Sequence, residues 1–494
     1  MTTTNPLAHL KKLPVLLILG ALSLLPNTSG LAEQANSPTN TTYYVSSSVG
    51  SDQADGHTPR TAWRTLDRVN SASLKPGDRV LFQRDNLWRG QLLPQSGADG
   101  KPVTYGAFGK GAKPILQAAV TKDKPDDWLS VENNLWTTRP PANTNNATLD
   151  VDVGNIILDH GVACGVKKWR REDLLRNGDF WYDPAARQVW LYSDKTPTKQ
   201  HHSIELALKK HIINETGCSH VTYEDLQLRY GAAHGIGGGN TSHITVRRCD
   251  IYFIGGGLLK TSPDGKPVRF GNGIEFWNAG KHNLVENCRL WEIYDAALTN
   301  QGKDPKSEQV NITYRHNVIW NSEYSFEYWN RTYREYALEK RPETARTENI
   351  LFEHNTCLDA GYGWGHNQRP DKNGCHLKFG FNAAITREVV VCNNIFCNAT
   401  DSGLIMRNDW RTGLTLDRNL WFQKTGLLFT FLRRNFTADQ LEDYRTATGF
   451  DLRSVIATPN FRNATQRDYR LAPGSPGLKW TAEGQSCGAN FIAE

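Results

Sequence analysis

The sequence predicts an all-β solenoid of stacked parallel strands, a parallel β-helix, on three observations. The first is a repeat. Three short runs, Asn272–Asn278, Asp295–Gly302 and Ser325–Arg331, share a pattern, and each precedes a second run rich in Val, Ile and Asn, at Leu284–Leu290, Ile312–Ile319 and Ile350–Cys357. Repetition of this kind signals supersecondary units stacked on one another. The second is a ladder: laid in register, the second runs reach Cys249, Cys288, Asn317, Asn355, Asn394 and Asn419. Stacked Asn side chains hydrogen-bond along such coils and tolerate the left-handed backbone of tight turns. The third is composition: 42 Gly, 15 Trp and 17 Tyr against 2 Met indicate many turns and a ring-rich face suited to sugars.

The totals narrow the function classes. The 494 residues accommodate one large repeat domain with caps. A formal charge of +6, from 57 basic and 51 acidic side chains, comes without a Lys/Arg block or a basic helix, so no nucleic-acid partner is expected. Lys11 and Lys12 precede the apolar run Leu13–Leu25, and Gly30 and Ala32 suit the small pockets of a signal peptidase, so residues 1–32 read as a cleaved signal peptide. That run is too short to span a bilayer comfortably. The mature chain is expected to be secreted or periplasmic, monomeric and without a membrane span. Nine Cys form no C-x-x-C framework; Cys249 and Cys288 suit buried small side chains in a stack, and disulfide pairing stays open. No His/Cys cluster has zinc spacing.

In chain order, Thr42–Ser47 reads as a strand, Gly50–Asp52 and Asp55–Gly56 as turns, and Thr61–Val69 as a short amphipathic helix capped by Thr61, followed by the turn Lys75–Asp78 and the strand Arg79–Phe82. Together with Gly90-Gln91-Leu92, these motifs resemble the amino-terminal cap of bacterial right-handed parallel β-helix proteins of the pectin-lyase-like superfamily. The resemblance covers Tyr43–Leu92 and implies a right-handed helix. It does not choose among the lyases, glycoside hydrolases, esterases and epimerases of that superfamily. Residues 33–125 are accordingly assigned to the cap and first coils, and 126–210 to a β-rich insertion. In that insertion Asn134–Thr138, Asn155–Asp159 and Val189–Ser193 read as strands, and Phe180–Pro184 shows only a turn. Residues 211–435 form the regular helix with the groove. Residues 436–494 form the far cap, with a helix from Thr437 through Tyr444.

Because strand side chains alternate, inward anchors at Ile274, Leu298, Phe326, Leu377, Leu404 and Leu428 leave an outward column of Glu275, Thr299, Glu327, Lys378, Ile405 and Phe429. A second outward column holds Trp277, Gln301, Trp329, Gly380, Arg407 and Phe431. Glu275 and Glu327, two coils apart, have backbones about 9.6 Å from each other, compatible with the ~6.5–9.5 Å carboxyl separation of inverting glycosidases. Asp295, Glu323 and Asp401 fall three residues before the anchors, along one edge of the face. Asp295 is expected to raise a neighbouring carboxyl pKa by like charge, as a general acid requires. Asp359 and the loop Gly361–Arg369 complete the candidate set.

The expected catalytic residues of a hydrolase are therefore Glu275, Glu327 and Asp295. Trp277, Trp329, Gln301, Asn330, Arg331, His366 and Arg407 are the expected substrate contacts, and the partner is a polysaccharide. A rival reading is a uronate lyase using Lys378 and Arg407, since Asn373–Gly380 is similar to the lysine-bearing strand of some pectate lyases. The adjacent Asp-Asp calcium cluster of those enzymes is missing unless Asp295, Glu323 and Asp359 assemble it. No cofactor or metal is expected for a hydrolase, and calcium is expected only for a lyase. A third reading is a noncatalytic polysaccharide-binding protein that uses Trp277 and Trp329. His282, His316 and His354 are expected to be structural, and the loops 260–272, 303–309 and 333–348 are expected to wall the groove.

Overall fold

Short runs of alternating apolar and polar residues, punctuated by turns, make strands the main regular structure of this chain. The computed structural model describes residues 40–494 apart from 133, 140–148, 332–343, 425, 482–483 and 492–494. The expected signal peptide and most of the 333–348 loop lie outside the described residues. Two sheets, of 17 and 14 strands, hold most of the strands, and from Ser219 onward the chain returns to both of them again and again.

In the larger sheet Ile274 pairs with Leu298, Leu298 with Phe326, Phe326 with Leu377, and Leu377 with Leu404, all in parallel. These anchors are fully buried. In the second sheet Leu290, Ile319, Cys357, Phe396 and Trp421 align in the same way. Both columns belong to one apolar core that runs from Val45 to Phe450. The last coil slips by one residue against the sequence reading, because Leu404 pairs with Phe429 rather than Leu428, and Met406 with Phe431. Phe429 and Phe431 are therefore core residues, not part of the outward face.

The asparagine ladder is continuous. Asn355 Oδ1 accepts from the Asn317 N–H at 2.9 Å and from its Nδ2 at 3.0 Å. Asn394 Oδ1 accepts the same two groups of Asn355 at 2.8 and 3.1 Å, and Asn419 Oδ1 those of Asn394 at 3.0 Å each. The left-handed turn, however, falls one residue earlier, at Arg248, Asn287, His316, His354, Asn393 and Arg418, with φ between 51° and 57°. The ladder residues thus serve as hydrogen-bond partners, and their predecessors carry the turn.

Val103–Phe108 pairs in parallel with Ser219–Glu224, and Ile115–Gln117 with Gln227–Gly231. The chain therefore leaves the stack after Gln117 and returns directly beside the coil it left. The excursion builds a five-stranded sheet in the order Val166–Lys167, Asp179–Asp183, Gln188–Tyr192, Leu135–Thr138, Trp128–Glu132. Phe180–Pro184, read as a turn, supplies most of one of these strands, because Phe180 packs with Val189 and Leu191 in a separate core. Val153–Leu158 and Ile204–Leu208 instead pair with each other and join the 14-stranded sheet, sewing the excursion to its flank.

Both helix expectations shift. Thr61 ends a 3-10 turn, and the helix Leu66–Asn70 is capped by Thr65, whose side chain accepts from the Arg68 N–H at 3.1 Å. Thr437 caps a 3-10 turn that leads into the helix Leu441–Thr448. All nine cysteines are free.

Candidate active site

A cleft of about 880 Å³ lies over the outward column of the larger sheet, floored by Glu275, Trp277, Gln301, Glu327, Trp329 and Lys378. The register explains the grouping: Glu275 pairs with Thr299, Thr299 with Glu327, and Glu327 with Lys378, so alternation aims each toward the same side. Trp277, Gln301 and Trp329 align two residues on, in the same pairings. Both indoles are half-buried and meet edge to face with ring centres 5.7 Å apart. Asp295 and Arg369 complete the rim.

Glu275 is the most perturbed carboxyl on this floor. Burial pushes its pKa up to about 7, opposed by the Asn272 hydrogen bond and reinforced by the Asp295 charge. Asn272 Nδ2 donates to its Oε2 at 2.5 Å. His234 Nε2 lies 3.1 Å from the same oxygen. The Asn272 backbone N–H donates to His234 Nδ1 at 2.9 Å, which fixes the tautomer with the proton on Nε2, facing Glu275. Burial lowers the His234 pKa to about 4 against the pull of Asp295, so the imidazole is neutral near pH 7. Both donors are thus gathered on Oε2 of a carboxyl that lines the cleft.

Glu327 sits differently. Its carboxyl is raised by burial despite the opposing Lys378 charge, with Asp295 adding to the rise. Lys378 Nζ approaches Oε1 at 3.3 Å and Gln301 Nε2 donates to Oε2 at 2.7 Å. The same ammonium lies 3.7 Å over the Tyr324 ring. Asp295 is ion-paired to Arg369 at 3.2 Å, and Arg369 also meets Asp371 at 3.2 Å and the Tyr324 hydroxyl at 3.3 Å.

Other expected contacts fall outside this floor. Asn330 is fully buried and bonds to Ser307 Oγ at 2.6 Å and the Arg346 carbonyl at 3.2 Å, because alternation after Trp329 turns it inward; it is structural, not substrate-binding. His366 lies 3.0 Å from Glu323, behind the rim rather than on the cleft lining. Arg331 and Arg407 line an adjoining depression of about 340 Å³ that shares Trp329 and Lys378 with the cleft. Glu323 is 1% exposed and held by His366 and Arg369. Asp359 is on the second sheet, bonded by Asn398 at 3.4 Å, so Asp295, Glu323 and Asp359 do not assemble a calcium cluster.

Several residues were not singled out by the sequence reading: His234, Asn272, Trp169, Arg269 and Phe270, although Asn272, Arg269 and Phe270 lie in the 260–272 loop expected to wall the groove. The first two had a signal. Two residues before each anchor runs a column of His234, Asn272, Ala296, Tyr324, Cys375 and Ser402, and its first members are the pair that grips Glu275. Trp169 had none, because it comes from the insertion, and Arg269 and Phe270 had only the place of their loop.

No family model matches the chain. A lacto-N-biosidase of Bifidobacterium longum subsp. longum is 32% identical over 96 residues, which are 18% of this chain and 6% of that protein, so the match spans a small part of the curated relative. Among solved structures, one described as a glycoside hydrolase is similar over 79% of this chain and 94% of its own at 12% identity, with a TM-score of 0.45. The complex of XylC with xylose is similar over 84% and 83% at 10% identity and a TM-score of 0.44. Pectate lyase Pel9A is similar over 92% and 96% at 11% identity and a TM-score of 0.40.

Proposed function

We propose that this chain is a secreted right-handed parallel β-helix enzyme that hydrolyses glycosidic bonds in a polysaccharide, with Glu275 as the general acid. The observation that carries the reading is the setting of Glu275: a carboxyl buried on the lining of the cleft, with two donors on Oε2 and burial raising its pKa to about 7. A carboxyl that stays protonated near neutral pH can protonate a departing glycosidic oxygen, while a second carboxylate works on the opposite side of the sugar ring. Asp295, ion-paired to Arg369, supplies that carboxylate. Glu327, held by Lys378 and Gln301, binds sugar hydroxyls beside it. Trp277 and Trp329 give the apolar ring faces a surface to pack on.

The lyase reading draws support from the place of Lys378 on the floor. A β-elimination base must arrive unprotonated, yet its contacts, a carboxylate at 3.3 Å and an aromatic face at 3.7 Å, are those of an ammonium. Among the described residues no helix is long and apolar enough to cross a membrane, and no group of three or more His, Cys, Asp or Glu is arranged to hold a metal ion.

The test is to follow new reducing ends and the ultraviolet absorbance of unsaturated uronate on neutral and uronate polysaccharides, with and without chelator. Reducing ends without absorbance are expected. Rising absorbance would replace hydrolysis with elimination at Lys378. Silence in both, with glycan binding that Trp329→Ala abolishes, would leave a binding protein.

A further inference from the structure

The floor of the cleft stops abruptly on one side of Glu275. In the preceding coil the residues paired with Glu275 and Trp277 are Gly237 and Gly239. A methyl group on Gly237 would come within 2.9 Å of the His234 side chain and 3.0 Å of His211 Nδ1, and one on Gly239 within 3.1 Å of the Trp277 ring. The two glycines thus make room for the imidazoles of His211 and His234, stacked 4.8 Å apart, and for the Trp277 indole, which fill the groove where it would otherwise continue.

A wall rises at the same place. Phe270, from the hairpin of Gly257–Thr261 and Pro267–Phe270, stands edge-on to His234 at 5.1 Å. Trp169 of the insertion lines the same cleft. A polar lock joins the insertion, the hairpin and the loop that carries Arg369. Gln368 Oε1 accepts from the Lys167 N–H at 3.2 Å and from Arg269 at 3.0 Å, and its Nε2 donates to the Gly165 carbonyl at 2.9 Å. Arg269 also donates to the carbonyls of Gly154 at 2.8 Å and Gly256 at 2.6 Å. On the other side of the cleft the floor continues past Trp329 and Lys378 into the depression at Arg407.

We propose that the insertion and the hairpin close one end of the cleft, so that the site receives the end of a saccharide chain. The terminal sugars lie between Glu275 and the wall, beside Trp169, and the rest of the chain runs out over Trp329 and Lys378 toward Arg407. An internal segment of a polymer must leave a groove at both ends, and among the described residues Phe270 and Trp169 stand across one of them. The inference rests on the hydrolase reading, names the substrate as chain ends, and gives the insertion a role in specificity.

The test uses the full chain with end-labelled linear fragments of xylan, galactan and polygalacturonate of graded length, sizing products at the earliest turnover. A single short product released from one end is expected, with slow loss of viscosity on the parent polymers. Trp169→Ala should raise KM for the shortest cleaved fragment about two- to tenfold, the weight of one aromatic contact, and leave the pH profile in place. Gln368→Ala, which unlocks the wall, should increase the share of internal cuts. Internal products from the start would overturn chain-end action and leave hydrolysis standing. An unchanged KM in Trp169→Ala would remove the insertion from the site. Absence of new reducing ends on every fragment would overturn the hydrolase reading itself, and this inference with it.

Discussion

Replacing Glu275 with Gln should weaken catalysis and strengthen the fold, with the second effect set by pH. The carboxyl rises from 4.5 to about 7 in the folded chain. At ~1.4 kcal/mol per pH unit, the proton is held about 3 kcal/mol more tightly folded than unfolded. For a raised carboxyl the sign is fixed: the neutral form costs nothing extra below pH 4.5, stability falls as pH climbs from there to about 7, and it stays low above. Gln keeps the shape and an oxygen that accepts from Asn272 and His234, and it never ionises. Urea unfolding at pH 4 and pH 8 should show the variant and the natural protein alike at the lower pH and the variant more stable by about 3 kcal/mol at the higher. His234, whose lowered pKa gives a slope of opposite sign, is present in both proteins and cancels. The variant should also lose about 10²–10⁴-fold in kcat, and kcat/KM of the natural protein should fall as pH rises through about 7. A stability difference that does not change with pH, or activity retained within about tenfold, would refute the buried-acid argument.

Further outcomes follow from the same contacts. Lys378→Gln removes the charge that opposes the burial-driven rise of Glu327, so a pH–rate limb that tracks Glu327 should move to higher pH, with a loss smaller than the about 10²–10⁴-fold of a missing base; total loss would favour elimination. Asn355→Ala deprives the buried Asn317 N–H and the Tyr314 carbonyl of their partners and should destabilise by about 2–4 kcal/mol in denaturant titration, with activity per folded molecule unchanged. Because every cysteine is free, a reducing agent should leave the thermal midpoint where it was, and a fall would reveal a bridge.

What the sequence discloses here follows the two-residue period of a strand. Once Ile274, Leu298, Phe326 and Leu377 are set as anchors, alternation alone delivers Glu275, Glu327 and Lys378 to one face, and the structure keeps that register. The rule also contained the correction for Asn330, which follows Trp329 and must therefore turn inward. It failed at the last coil, where Leu428 and Phe429 are both apolar and a slip of one residue leaves no trace in the pattern. It was silent about Trp169, which reaches the cleft from the insertion, and about the bond from Gln368 to Gly165, 203 residues away. Contacts of that kind have no period to read.

The same geometry explains why so much polar order surrounds the cleft. Burial raises Glu275 and Glu327 on the floor and Glu323 behind it, so a site that favours proton transfer works against folding whenever those groups ionise. Part of the offset is local, in the cations of Arg369 and Lys378. The rest must come from elements that do not titrate near neutral pH. The asparagine ladder is such an element, since each amide closes buried hydrogen bonds at any pH between acid and base denaturation. Because the ladder lies on the coil of Glu323 and Glu327 and reaches that of Glu275 through the Cys288 N–H, yet faces inward, it can hold those coils in register without touching the chemistry, and loss of stability and loss of activity should separate between the two sets of variants.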